Sequence, residues 1–473
     1  MALQFHNSLS RQTEEFTPLR PGQAGLYTCG PTVYNVAHIG NFRAYVFEDL
    51  LRRTLKYCGY QVTQVMNLTD VDDKTIRASR HAGKSLAEFT QQFKDAFFAD
   101  LQSLRIEPAE HYPAATEHIA EMIELVGRLL ARGVAYQAED DSVYFSIERY
   151  PKYGCLVNLD PAQSRSSGRV RHDEYAKESV ADFALWKAHT AEDGEVWWDS
   201  PWGRGRPGWH LECSAMSMKY LGPTFDIHTG GVDNMFPHHE DEIAQSEAAT
   251  GQQFVRYWLH CAHLIVEGRK MSKSEGNFFT LRDLLGQGFS GREIRYVLLA
   301  CHYRQALNFT RQSCLDARSA LQRIDDFIAR LRQTDSAENR DGNPSVEPEE
   351  TLCQRAKKDF KEALEDDLNI AEALAALFNL VRDGNRRLDQ RRMNGREASD
   401  ILSLLHDFDS VLAVLEADKG EEVPAAIEQL AQQRQQARRD KDFARADALR
   451  AELAEQGWSV EDTPDGPRLK PSG

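Results

Sequence analysis

The sequence predicts an α/β chain: a Rossmann-type parallel-sheet domain carrying an insertion, followed by a helical bundle and a small C-terminal unit. Three observations carry this prediction. Residues 24–67 read as strand, glycine-containing turn, helix and strand, the opening of a parallel sheet. Beyond Asn308 apolar residues recur at three-and-four spacing, as in Leu321, Ile324, Ile328 and Leu331, which argues for long amphipathic helices. The last fifty or so residues hold a basic helix and then turn residues around Trp458-Ser459-Val460-Glu461, the pattern of a helix-and-hairpin unit. At 473 residues the chain exceeds one ordinary core, and about 150 residues per domain suggests three or so.

Taken in order, Ala24-Gly25-Leu26-Tyr27-Thr28-Cys29 is a short buried strand, and Gly30-Pro31 turns the chain. A helix is expected from about Phe42, with Val46, Leu50 and Leu55 near one face. A second strand covers 61–67 through Val62 and Val65. A helical stretch over 117–131 leads to 134–147, where Asp140-Asp141 can turn a hairpin. Residues 151–207 show little periodicity and are rich in Ser, Arg, Asp and Trp, as expected of an insertion, placed at about 115–205. The α/β pattern resumes at Phe225-Asp226-Ile227-His228, followed by Thr229-Gly230-Gly231 and a helix from about Pro237, a residue suited to a first helical turn. Polar joints are expected at 334–350 and 416–422, and there is no internal repeat.

Composition narrows the class. With 41% hydrophobic and 27% charged residues the chain can build cores and stay soluble, and no apolar run nears the roughly 20 residues that span a bilayer. Met1-Ala2-Leu3-Gln4-Phe5-His6 has neither a basic nor an apolar leader region, so a cytoplasmic location is expected. The eight cysteines include no CxxC pair, so a metal site must gather ligands from distant segments. A net charge of −16 argues against indiscriminate nucleic-acid binding, because phosphate contacts need Lys and Arg. Two basic patches remain, Arg386-Arg387 with Arg391-Arg392 and Arg396, and the run from Arg434 to Arg450. Either is equally a solvated helix face or a local contact for a shaped RNA.

Two segments carry the chemistry. His38-Ile39-Gly40-Asn41 sits where the first strand turns into its helix, and a helix N-terminus offers N–H groups to phosphate. Gly40 admits a ligand close to the backbone, and His38 and Asn41 can donate to a phosphoryl oxygen; a capping turn with a surface histidine would look the same in isolation. Lys270-Met271-Ser272-Lys273-Ser274 places two lysines three apart, able to neutralise charge on departing pyrophosphate. No GxxxxGK[ST] occurs, which disfavours a P-loop enzyme.

Together these segments resemble the signature pair of class I aminoacyl-tRNA synthetases. The surrounding residues narrow the resemblance to the cysteinyl-tRNA synthetase family: Tyr27 to Tyr34, Asn67 to Lys74, Gly208 to Met216, Phe236 to Glu242, and the tail Asp440 to Asp447. One position departs, since the family's first signature often ends in histidine and here ends in Asn41, an amide that still donates but carries no charge. The resemblance implies ATP-dependent activation of L-cysteine to an adenylate, with Mg²⁺ accompanying ATP, and transfer to the terminal adenosine of tRNA(Cys). His38, Asn41, Lys270 and Lys273 would be catalytic, with Gly40 and Ser272 also at ATP.

The resemblance further implies one zinc ion per chain on Cys29, Cys213, His238 and Glu242. Two thiolates, an imidazole and a carboxylate suit Zn²⁺. His238 and Glu242 at i and i+4 share a helix face, which together with the family match sets aside the neighbours His239 and Asp241. Such a zinc either closes a structural site or binds the substrate thiolate, and the second role would let one strong contact reject serine. The implied amino-acid pocket comprises Cys29, Gly30, Thr69, Trp209, His228 and Asp233; Asp233 is either the partner of the substrate ammonium or an exposed loop aspartate. Domain roles follow: 1–260 catalytic, 261–309 stem-contacting with the lysine loop, 310–415 an anticodon-stem-binding bundle, and 423–473 an anticodon-binding unit, in a monomer. A cysteine ligase of mycothiol biosynthesis would share the ATP and zinc residues, and a non-catalytic synthetase-like RNA-binding protein is the rival of another class. The long helical region and basic tail favour tRNA over the first, and the lysine pair with a complete ligand set opposes the second.

Overall fold

A computed structural model describes residues 2–158, 182–272, 276–336, 351–415, 425–440, 442–463 and 466–471. They belong to two compact units, Met1–Leu415 and Glu416–Gly473. The first is organised by a four-stranded sheet in the order Val255–Cys261, Phe225–Gly231, Gln23–Thr28, Gln61–Met66, every neighbour parallel. Strand pleating sends alternate residues to opposite faces. Leu26, Ile227 and Leu259 accordingly pack with Phe42, Val46, Leu50 and Leu55 of the helix Ile39–Tyr57. Tyr27, Val65, Phe225 and Trp258 pack with residues of the helices Ile119–Ala131, Trp209–Leu221 and Glu240–Thr250 on the other face. The strand order reverses between Gln23–Thr28 and Phe225–Gly231, so a crevice forms beyond their C-terminal ends. Cys29 and Gly30 leave one strand there and Thr229 to Gly231 end the other, with the Cys29 N–H donating to the Thr229 carbonyl at 3.3 Å.

The first helix begins at Ile39, three residues before the expected start, because His38 caps it. The expected hairpin is present as Ala135–Gln137 paired antiparallel to Val143–Phe145, and Phe183–Ala188 and Gly205–Pro207 extend that sheet. The helix expected from Pro237 needs correction. Phe236 has extended backbone angles, so Val232 to His239 is an irregular turn and the α-helix starts at Glu240. The strand pair Gln4–Asn7 and Gln12–Glu15, the helices Asp73–His81 and Leu86–Ser103, and the small sheet of Leu264–Val266, Arg269–Lys270 and Leu307–Phe309 have no counterpart in the expectations above.

Four long helices follow: Arg311–Ser336, Leu352–Glu365, Ile370–Asp389 and Gly395–Leu412. Leu321, Ile324 and Leu331 are buried as their spacing requires, and Phe360 stacks on Phe408 with ring centroids 4.0 Å apart. Residues 337–350 of the first expected joint, and the whole of the second, lie outside the described residues. Two arginines tie the helices to the sheet domain. Arg295, fully buried, donates to the carbonyls of Leu412 and Leu104 and to Asp49 on the first helix, while Arg53 donates to the Ser410 carbonyl. In the second unit the helices Ala425–Arg439 and Phe443–Glu455 precede an antiparallel hairpin of Trp458–Thr463 and Gly466–Pro471, around Ile427, Leu453 and Val460. Among the described residues no helix is long and apolar enough to cross a membrane.

Candidate active site

The first signature turn is a closed capping box. The Asn41 N–H donates to His38 Nδ1 at 3.2 Å, and the His38 N–H donates to Asn41 Oδ1 at 3.1 Å. Because Nδ1 accepts, the neutral ring carries its proton on Nε2, which makes that nitrogen the donor. The Asn41 carbonyl oxygen is occupied by the cap, so its amide Nδ2 is the atom suited to donate onward. The second segment is brought to this turn. Ile39 N–H donates to the Phe279 carbonyl at 3.0 Å, Phe278 meets the His38 ring edge-on, and Met271 lies against Gly40. A Cβ on Gly40 would stand 3.0 Å from the His38 ring and 3.2 Å from Met271 Cε, so glycine is what lets the two segments meet. Asn277 closes the loop stem, accepting from the Ser272 N–H at 2.9 Å and donating to the Lys270 carbonyl at 3.2 Å. Lys270 is exposed; Lys273 lies outside the described residues.

At the crevice floor a thiol, two imidazoles and a carboxylate converge. One candidate ligand atom each from Cys29, His238, His239 and Glu242 lies within 4.8 Å of the others. His238 Nε2 and Glu242 Oε1 are 3.1 Å apart, as the i, i+4 argument requires. Cys213, buried, is not among these four, but its thiol interacts with Cys29 and His238. The irregular turn before Glu240 also directs His239 inward, with Nε2 3.3 Å from Cys29 Sγ and Nδ1 2.8 Å from His260 Nε2. Helix periodicity therefore does not set His239 aside, because it is not on a regular helix. Asp241 does point elsewhere, to the Tyr153 hydroxyl and the His210 ring.

The electrostatics fit a divalent cation. Burial, and the charge that Cys213 would carry, push the Glu242 carboxyl well above the usual range. Cys29 is pushed up by its hydrogen bond with Cys213 and by burial. Burial also opposes ionisation of Cys213, but hydrogen bonds from Cys29 and the charge of His238 outweigh it and hold this thiol well below its ordinary value. Acids that suppress one another's ionisation in a dry site become simultaneously ionised when a cation binds. Glu242 Oε1 is buried with His238 Nε2 3.1 Å away, two donor atoms close enough to share one metal ion.

The residues expected to form the amino-acid pocket are placed as follows. Gly30 N–H donates to Asn67 Oδ1 at 2.9 Å, and a Cβ there would fall 1.8 Å from the Asn67 carbonyl oxygen. Thr69 is buried and hydrogen-bonded to Asn67 and Glu212. His228 Nε2 lies 3.0 Å from Glu242 Oε2, its ring stacked on Trp258, and burial with the neighbouring His238 holds it down to about 3. Trp209, 43% exposed, stacks on the His238 ring at 4.4 Å. Asp233 is exposed on the turn after Gly231. Sequence reasoning missed Glu48 and Glu212, both fully buried carboxylates, and the histidines His210 and His260. Glu48 accepts from the Thr229 hydroxyl at 3.1 Å beneath the crevice. Carboxylates ordinarily read as surface, so only the neighbouring motif residues could have flagged Glu212.

Similarity to known proteins agrees with this geometry. Residues 15–319 match the tRNA synthetases class I (C) catalytic domain, 359–416 the DALR domain and 420–467 the cysteinyl-tRNA ligase anticodon binding domain. The chain is 51% identical to the cysteine–tRNA ligase of Protochlamydia amoebophila, over 99% of this chain and 98% of that protein. It is 49% identical to that of Brachyspira hyodysenteriae, over 98% of each. The solved Mycobacterium tuberculosis methionyl-tRNA synthetase in complex with methionyl-adenylate shares the fold, with a TM-score of 0.59 at 15% identity, over 83% of this chain and 90% of that one. The chain belongs to the cysteine–tRNA ligase family of class I aminoacyl-tRNA synthetases.

Proposed function

We propose that the chain condenses L-cysteine with ATP to cysteinyl-adenylate and pyrophosphate, then passes the cysteinyl group to the 3′-terminal adenosine of tRNA(Cys). The observation that carries this reading is the meeting of both signature segments, Met271 against Gly40 and Phe279 bonded to Ile39, beside a buried thiol–imidazole–carboxylate cluster. The cysteine carboxylate attacks the α-phosphorus of ATP, and no side chain acts as nucleophile. His38 Nε2 and Asn41 Nδ2 donate to phosphoryl oxygens at the helix N-terminus, while Lys270 and Lys273 balance charge on departing pyrophosphate; Gly40 and Ser272 leave room for the nucleotide. Mg²⁺ accompanies the phosphates.

Cys29, His238 and Glu242, which come within 4.8 Å of one another, would hold zinc together with Cys213, with His239 3.3 Å from Cys29 and His228 3.0 Å from Glu242. Zinc, when bound, keeps the substrate side chain as a thiolate and so separates cysteine from serine. Gly30, Thr69, Trp209 and Asp233 shape the pocket around the amino and carboxylate groups. The resemblance of residues 420–467 to an anticodon binding domain supports tRNA over a small amino sugar as acceptor. The test is aminoacylation of tRNA(Cys) with cysteine and with serine. Charging with cysteine alone is expected; ATP–pyrophosphate exchange without charging would transfer the reading to a small-molecule cysteine ligase.

A further inference from the structure

We propose that Tyr34, Lys74 and Arg77 form a docking site for the single-stranded 3′ end of the tRNA: the Tyr34 ring stacks on one of its bases, and the two cations hold its phosphates. This rests on the reading of Gly30 as part of the cysteine pocket and of His38 to Asn41 as the nucleotide turn. In the adenylate one carbonyl carbon joins the amino-acid half to the phosphate half, and the acceptor hydroxyl must reach that carbon. The tRNA end therefore has to arrive over the segment that links the two binding sites, Gly30 to His38. Within this segment Val33 is 1% exposed, and its N–H donates to the Thr69 carbonyl at 3.0 Å. That buried residue anchors the loop and leaves Tyr34, next in the chain, 36% exposed. Among the described residues no second aromatic ring packs on Tyr34; the Lys74 ammonium lies over it, 5.6 Å from the ring centroid.

Lys74 belongs to the helix Asp73–His81, whose Thr75, Ile76 and Ser79 are buried. The opposite face carries Lys74, Arg77 and His81 at i, i+3 and i+7, all exposed. Among the described residues none of these three side chains has an ion pair or a hydrogen bond. The remaining charges of the helix are engaged. Arg80 donates to the Ala191 carbonyl at 3.1 Å, Asp73 accepts from Lys187 Nζ at 3.0 Å and from Arg206, and the capping Asp72 accepts from the Thr75 N–H at 2.6 Å. A chain of net charge −16 repels phosphate as a whole, so contact has to be made where free cations gather. Side chains three apart on a helix have Cβ atoms about 5–6 Å from one another, so Lys74 and Arg77 can reach neighbouring phosphates of one strand. An exposed ring beside such cations suits single-stranded nucleic acid, whose bases stack while its backbone meets the charges. A duplex keeps its base faces stacked inside, which assigns the site to the unpaired 3′ end and not to the stem.

The experiment measures binding of tRNA(Cys), intact and lacking its unpaired 3′ nucleotides, by the full chain and by three variants: Tyr34→Ala, Tyr34→Phe, and Lys74→Ala combined with Arg77→Ala. Cysteine-dependent ATP–pyrophosphate exchange, which uses no tRNA, shows that each variant is folded. Tyr34→Ala should weaken binding of intact tRNA about tenfold, as for loss of one base stack, while Tyr34→Phe keeps the parent's affinity. In the lysine–arginine variant the slope of log Kd against log salt should fall by about 1.4, which is about 0.7 for each phosphate contact. Binding of the shortened tRNA should be the same in the parent and all variants. If Tyr34→Ala does not fold, the salt slope carries the comparison. Equal weakening of intact and shortened tRNA would overturn the inference, as would parent affinity in Tyr34→Ala or an unchanged salt slope. A parent that exchanges pyrophosphate yet binds the two tRNAs equally would overturn it too. No exchange by the zinc-loaded parent would instead overturn the functional reading, and this inference with it.

Discussion

Replacing Gly30 by alanine adds one methyl group at the crevice floor, and the structure sets the size of the consequence. The new Cβ would lie 1.8 Å from the Asn67 carbonyl oxygen and 3.0 Å from both its carbonyl carbon and Met66 Cγ. Carbon–oxygen contacts settle no closer than about 3.3 Å, so the two chain segments must part by about 1.5 Å. They cannot part upstream, because the strands Gln23–Thr28 and Gln61–Met66 are in register up to Thr28 opposite Met66. The displacement therefore falls on Cys29, Gly30 and the Asn67–Thr69 segment, the groups read as holding the substrate's thiol and amino ends. A misplacement of about 1 Å costs on the order of 100-fold in rate, or about 2.7 kcal/mol. In cysteine-dependent ATP–pyrophosphate exchange, kcat/KM for cysteine should fall by that factor. The KM for ATP should change less than about threefold, since the His38–Asn41 turn is fastened separately by its capping box and by Phe279. Circular dichroism would establish that the variant is folded. A folded Gly30→Ala protein with exchange within about threefold of the parent would refute the reasoning.

Other outcomes follow from the same geometry. Cys213→Ser should lose zinc, measured by metal analysis, and with it the preference for cysteine over serine; full zinc content would remove Cys213 from the ligand set. Lys273→Ala should keep zinc yet slow activation by about 100-fold, as for loss of a single transition-state contact, and an unchanged exchange rate would discount the lysine loop. Arg295→Met should destabilise the Met1–Leu415 unit by about 3 kcal/mol, since it leaves the Leu412 and Leu104 carbonyls and part of the Asp49 charge unpaired. An unmoved urea midpoint would contradict that. His260, held down to about 3 by burial and by His228, stays neutral while the unfolded chain takes up its proton below about 6.5. Its contribution to stability is therefore lost as pH falls from about 6.5 toward 3, at up to about 1.4 kcal/mol per pH unit. The stability difference between the parent and His260→Gln should shift by that slope, and parallel pH curves would show that the histidine is not held neutral.

Short-range pattern made much of this molecule legible. The short buried run before Gly30 and the three-and-four spacing from Leu321 onward are local properties, and the strand Gln23–Thr28 and the helix Arg311–Ser336 lie where they put them. The resemblance carried by His38 to Asn41, Lys270 to Ser274 and the residues around Cys213 and His238 identified the family, since each motif is contiguous in the chain. What was not legible depends on backbone irregularity or burial. The break at Phe236 turns His239 toward Cys29 where a regular helix would have turned it away. No local pattern singles out Arg43 and Arg295, which are buried where carbonyls at the ends of distant helices collect on them.

By itself, then, the sequence determined the α/β class, the opening strand–turn–helix–strand unit and the membership of the family. Only the tertiary structure decided that Met271 closes on Gly40, that the cluster has His239 as well as His238 within ligand distance, and that Gly30, Asn67, Thr69 and Glu212 form one chain of hydrogen bonds. The physical reason is range. Periodicity and capping are settled between residues a few positions apart, whereas a buried hydrogen bond can join partners 143 positions apart, as Thr69 and Glu212, or 246, as Arg295 and Asp49.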